Sequence, residues 1–169
     1  MKSEIHVQVL TKLKDLLLVL SDEAFTRPNK LLSNSTIGQH FRHIMEFYLC
    51  LFNQMHQKKV NYDLRQRDTQ LETNRLFGIQ VLDHTLAFID EIEDSILTNN
   101  KLYLENCFHE LQNDIPDIPT SFIRELTYCL DYCIHHQSLI KIGLKEQELQ
   151  HLIDEDFGVA FSTLEHRKK

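Results

Sequence analysis

Ten of the 169 residues are histidine. Near neutral pH an imidazole can carry protons, and its nitrogens bind zinc and related divalent metals at roughly 2.0–2.1 Å. Whether these rings can act together depends on where they point, and a helix turning about 100° per residue makes that calculable. With His136 as origin, Glu125 falls at about −20°, Cys129 at about +20°, Ile140 at about +40° and Cys133 at about +60°. His136 therefore belongs to an apolar stripe. His135 falls at about −100°, beside Arg124 and Asp131, and is expected at the periphery. With His40 as origin, Phe47 lies at about −20°, Leu51 at about +20°, Ile44 at about +40° and His43 at about −60°. His40 points inward and His43 borders the core. Two separate segments thus aim imidazole at a common axis, which suits a metal site built between helices. With one position left open, such an ion would lower the pKa of bound water and polarise a substrate.

Each residue also has a plainer role. His40 can be a core histidine bonded to a neighbouring acid or carbonyl. Glu125 sits in a first helical turn, where the helix dipole favours a carboxylate, and can pair with Arg42 or Arg124. Cys129 and Cys133 are soft candidate ligands, but buried free cysteine commonly acts as a small hydrophobe. His84 lies at the edge of its stripe, where it either supplies another imidazole or is solvated. No nucleophile–base pair can be assigned.

The elements that must carry these groups are helical. Ile5, Val9, Leu13, Leu16, Leu17 and Leu20 recur at helical spacing and predict a first helix over about residues 4–20. Thr36 and Gln39 form a capping box for a second, running to about Lys58. After a polar loop, Asn61–Asp68, Thr69 and Glu72 form a second box, and Phe77, Val81, Phe88 and Ile92 continue a third helix to near Leu97. The period fails between Asn99 and Thr120, and Lys101 to Phe108 alternates enough for a short strand or irregular excursion. Ser121 caps a fourth helix, expected to stop near Gly143, before a short helix over about residues 146–154 and an irregular tail. Four amphipathic helices predict an all-α fold, an antiparallel four-helix bundle with that excursion between helices three and four.

Composition agrees. Four glycines and three prolines are few for a sheet protein rich in tight turns. The length suits one domain spanning residues 1–169. The longest apolar run, Phe47–Phe52, falls far short of the roughly 20 residues needed to cross a bilayer. Glu4, His6, Gln8, Lys12 and Lys14 interrupt the stretch a secretory signal would need. A net charge of −7 without a basic block argues against nucleic acid. The expectation is a cytoplasmic protein, with no membrane or nucleic-acid partner and with Cys50, Cys107, Cys129 and Cys133 reduced.

The string Ser35-Thr36-Ile37-Gly38-Gln39-His40-Phe41-Arg42-His43-Ile44, the segment Tyr62-Asp63-Leu64-Arg65-Gln66-Arg67-Asp68, and Arg124-Glu125-Leu126 with Ile134-His135-His136 resemble DinB-like proteins. The tail Phe157-Gly158-Val159-Ala160-Phe161-Ser162-Thr163 resembles the closing segment of one bacterial branch. The similarity runs from about residue 33 to 163. It implies a four-helix bundle holding a divalent metal, zinc or nickel, on three histidines, one from helix two and two from helix four. Matched by position, His43 and His136 are ligands, while Tyr132 stands where the third histidine belongs. A phenol with a pKa of about 10 is a poor zinc ligand at neutral pH. His40 is the best replacement; a Cys129 or Cys133 thiolate, or a metal-held water bonded to Tyr132, are others. The resemblance implies a metal-dependent transferase or hydrolase acting on a small, thiol-linked molecule, and a homodimer. The alternative is a non-catalytic ligand-binding or interaction bundle that has lost the metal.

Overall fold

The computed structural model describes residues 2–92, 101–105 and 117–168. It is mostly helical with one small sheet. In order, the helices are α1 (Lys2–Val19), α2 (Asp22–Thr26), α3 (Ile37–Gln54), α4 (Gln70–Thr73), α5 (Arg75–Glu91), α6 (Phe122–Glu146) and α7 (Phe161–Arg167). The sheet comprises β1 (Lys59–Val60), β2 (Lys101–Leu104) and β3 (Ile118–Ser121).

The long helices pack as neighbours: α3 lies most extensively on α6 and α1 on α5, while α1–α6 and α3–α5 contacts join the pairs. Their apolar stripes meet in one core. Leu10, Leu13 and Leu17 of α1, Phe41, Ile44 and Tyr48 of α3, Leu82 of α5, and Phe122, Cys133 and Ile140 of α6 are completely buried. Removing those side chains from water is the main favourable term holding the helices together. Among the described residues, no helix is long and apolar enough to cross a membrane.

The ends of the site-bearing helices follow local chemistry. Thr36 Oγ1 accepts from Gln39 N–H at 3.0 Å and Gln39 Oε1 accepts from Thr36 N–H at 3.2 Å, so the expected capping box opens α3. Ser121 Oγ accepts from Arg124 N–H at 3.3 Å and opens α6. The second expected box does not form. Thr69 caps nothing with its side chain; Asp68 accepts from Gln70 N–H instead, and the single turn α4 ends before Asn74. Asn74 Oδ1 then accepts from Phe77 N–H and starts α5. A short asparagine side chain reaches back to the N3 amide as well as threonine does.

Gly143 does not end α6, which continues to Glu146. A Cβ there would lie 3.0 Å from Leu32 Cδ1 and 3.4 Å from Asn29 Nδ2. The glycine therefore admits the 29–32 turn against the helix, and the left-handed residue is Glu148, with φ 62°. The expected helix over residues 146–154 reduces to a turn at Gln150–Leu152, and the expected irregular tail contains α7. Helix three ends as α5 at Glu91, where Ile92 is already extended with ψ 119°, short of the expected end near Leu97; Leu97 itself and the stretch Cys107–Phe108 lie outside the described residues.

The largely helical architecture agrees with the expected fold class, and the sheet adds to it. The strand-like alternation from Lys101 becomes β2, central between β1, paired in parallel through Lys59↔Tyr103, and β3, paired antiparallel through Leu102↔Thr120. Pro119, which cannot donate to a ladder, sits on the outer strand β3.

Candidate functional site

Packing of α3 on α6 brings three imidazoles together. His40 Nδ1 lies 3.1 Å from His136 Nδ1, so one ring donates its N–H to the other's lone pair. The ring centres of His40 and His43 stand 5.3 and 5.6 Å from that of His136. His136 is buried and the other two are half-buried. His135 is exposed on the outer face of α6, as its direction on the helix predicts. His84 is also exposed, and it lines a groove with Phe52 and Phe88 that none of the three site histidines borders.

The cluster is neutral at physiological pH. Burial, then the facing His40 and His43, pushes His136 down to about 3. His40 is lowered by burial and by His43 and His135; His43 is lowered by burial and by the guanidiniums of Arg42, Arg65 and Arg67. Neutral imidazoles keep the lone pairs that bind metal. Two nitrogens of the cluster, His40 Nε2 and His43 Nδ1, are buried without a hydrogen-bond partner among the described residues. Rings sharing a tetrahedral ion at about 2.0–2.1 Å would have centres roughly 5 Å apart. In donor type, protonation and ring spacing the three residues fit a divalent ion. Their donor atoms do not converge on one point: among the described residues no three His, Cys, Asp or Glu groups form a ligand set. His40 and His136 are instead hydrogen-bonded to each other.

Tyr132 occupies the wall of the site. Its ring centre is 4.4 Å from that of His136 and 4.0 Å from that of Phe47, on which it stacks at 21°. Phe47 stacks in turn on Tyr62 at 4.9 Å and 15°. Burial raises the Tyr132 phenol above its ordinary value, so it stays protonated. It can orient a bound water or substrate and does not supply an anionic ligand. Cys129 and Cys133 are buried and their thiols pushed up, chiefly by burial. Cys129 faces Tyr62 and Glu125. Neither presents the thiolate that a soft-metal site requires.

Glu125 is fully buried and held by three donors: Tyr62 O–H at 3.1 Å, Thr120 O–H at 2.6 Å and Arg124 Nη1 at 2.9 Å. Of its two expected cationic partners, Arg124 is the one used. Arg42 pairs with Glu46 at 3.2 Å and with Glu72 at 2.5 Å. Helix periodicity does not reveal Glu46 and Arg65. Glu46 is buried on α3, and Arg65 reaches it from the 61–68 loop at 3.2 Å while lying 5.3 Å above the Phe47 ring. The loop is fixed by Asn61, whose Oδ1 accepts from the Asp63 and Leu64 amides.

No family model and no solved structure matches the chain. Among curated proteins, FK506-binding protein 5 of Rhizopus delemar is 32% identical over 110 residues, 65% of this chain and 28% of that protein. The chain thus spans less than a third of the length of the relative it matches.

Proposed function

We propose that this chain is a DinB-like antiparallel four-helix bundle that holds a divalent metal ion, zinc or nickel, on His40, His43 and His136, and that it acts as a transferase or hydrolase on a small molecule. The observation that supports the reading is the clustering of three imidazole rings from α3 and α6, with ring centres 5.3 and 5.6 Å from that of His136 and two nitrogens buried without a hydrogen-bond partner among the described residues. When bound, the ion would supply Lewis acidity and a water of lowered pKa. The chain's own groups do the rest. His40 takes the place left open by Tyr132, whose ring, stacked on Phe47 and 4.4 Å from that of His136, walls the site. The Tyr132 hydroxyl orients a water or substrate oxygen by hydrogen bonding. Thiol-linked substrates, a homodimer and a cytoplasmic location belong to the same reading.

The second reading, a bundle that keeps the fold and binds a ligand without metal, is favoured by the direct His40–His136 hydrogen bond, which satisfies two would-be ligands with each other.

Metal analysis of protein purified without an affinity tag separates the two. One equivalent of zinc or nickel, lost in His43→Ala and His136→Ala and reduced in His40→Ala, is expected. Metal-free protein whose Tyr132→His variant takes up an ion would establish the second reading instead.

A further inference from the structure

Away from the histidine cluster, α3 and α5 leave aromatic side chains uncovered among the described residues. Phe52 of α3 and Phe88 of α5 stand 4.3 Å apart between ring centres, and with Phe77 they line a groove of about 420 Å³. Phe88 is 37% exposed, and Phe52 and Phe77 are half-buried. Apolar surface gathered in a concavity, and not scattered singly, is the mark of a binding surface. A volume of this order is also that of small-molecule sites, roughly 300–1,000 Å³.

The groove adjoins a second cavity, of about 270 Å³; Leu49, Asn53, Asp68 and Leu71 line both. The second cavity supplies the polar end. Glu46 and Arg65 lie in its wall and neutralise each other through a 3.2 Å contact, while Arg42, the other cation on Glu46, is shared with Glu72. Of the carboxylates and guanidiniums lining the two cavities, Asp68 alone has no ion-pair partner among the described residues. Its Oδ1 accepts from Gln70 N–H at 2.9 Å, and its Oδ2 makes no hydrogen bond among those residues. Asp63 and Arg67, its neighbours on the loop, line neither cavity. His84 also lines the groove, one turn before Phe88 on α5.

We propose that this cleft binds an organic cation, an amine whose apolar body lies on Phe52, Phe77 and Phe88 and whose ammonium meets Asp68 where the two cavities adjoin. An ammonium has three donors and no acceptor, so it suits the open Asp68 oxygen and the side-chain carbonyl of Asn53 in the same wall. A charge-assisted contact of this kind is stronger than a neutral one, and aromatic faces attract a cation as well as its hydrocarbon body. None of His40, His43 and His136 lines either cavity, so the site is independent of the metal reading.

The test titrates 4-phenylbutylamine, 4-phenylbutanol and 5-phenylpentanoate into the full chain, chelator-stripped and zinc-loaded, with binding read by NMR. The amine is expected to bind stoichiometrically and equally well with or without zinc, the alcohol at least roughly tenfold more weakly, and the acid not at all. Asp68→Asn keeps an oxygen for the Gln70 amide and should reduce amine affinity to that of the alcohol. Phe88→Ala, at an exposed position, should weaken amine and alcohol together, while Phe161→Ala, exposed on α7, changes neither. Amine and alcohol binding alike, amine binding unchanged in Asp68→Asn or in Phe88→Ala, no saturable binding, or acid preferred through His84 would each overturn the proposal. So would amine binding that is lost when zinc is stripped, which would move the ligand to the histidine cluster. A dimer in sedimentation that Phe88→Ala dissociates would overturn it too, by giving the groove to a second copy of the chain.

Discussion

His40 and His136 are 96 positions apart in the chain, yet their Nδ1 atoms lie 3.1 Å from each other. Each is carried inward by its own helix, and the contact forms because α3 and α6 are the most extensively packed pair among the described elements. In that hydrogen bond one ring is the Nδ1–H tautomer, which keeps its lone pair on Nε2, and the other accepts through its Nδ1 lone pair.

A second buried histidine sets a pH dependence of stability that is independent of the site. His6 is 3% exposed, its Nδ1 is 3.1 Å from the Tyr48 hydroxyl, and burial pushes it down to about 4. The unfolded chain takes up a proton near pH 6.5, before the folded protein does. The stabilisation is therefore complete above pH 6.5, declines as pH falls toward 4, and is gone below that. Chemical denaturation at pH 6.5 and 4.5 should show wild-type stability falling by about 1 kcal/mol per pH unit more steeply than that of His6→Phe. Parallel slopes would remove His6 as the cause.

Gly38 stands two residues before His40, and a Cβ there would overlap the Glu72 carbonyl oxygen and lie 2.9 Å from the Phe25 ring. A backbone carbonyl cannot swing aside as a side chain can. Gly38→Ala should cost about 2 kcal/mol or more, measured as a shift in the urea midpoint, because α3 must move away from α4. Wild-type stability in the alanine variant would show that this approach is looser than it stands here.

The two candidate caps of α5 give opposite expectations. Asn74→Ala removes the bond to the Phe77 amide and should cost about 1 kcal/mol. Thr69→Ala removes no side-chain cap and should change stability by less than about 0.5 kcal/mol. Thermal melts of the pair distinguish them directly; a larger loss at Thr69 would return the helix start to the threonine.

Much of the fold is legible from local pattern. Period-3.6 spacing locates α1, α3 and α6, the Thr36–Gln39 box marks where α3 begins, and wheel geometry puts His40 and His136 inward and His135 outside, as the structure has them. These are properties of ten or twenty neighbouring residues, which helix geometry alone constrains. The start of α5 differs from its expected position because Asn74, five residues beyond Thr69, caps it, and sequence does not say which amides will be left unpaired. Gly143 departs from its expected role because a glycine that ends a helix and a glycine that admits a packed neighbour look the same until the neighbour is in place. β1, two residues long, has no period to read.

The sequence by itself determined that the chain would be mostly helical and that imidazoles from two helices would face inward, since side-chain direction follows from a fixed rise and turn per residue. Only the tertiary structure decided that Tyr132 would stack on Phe47 beside His136, and that Arg65 would reach Glu46 and lie over that same ring. Those contacts join residues whose sequence separation carries no geometric information; they exist because burying the core fixes the helices, and the loop between them, in one arrangement.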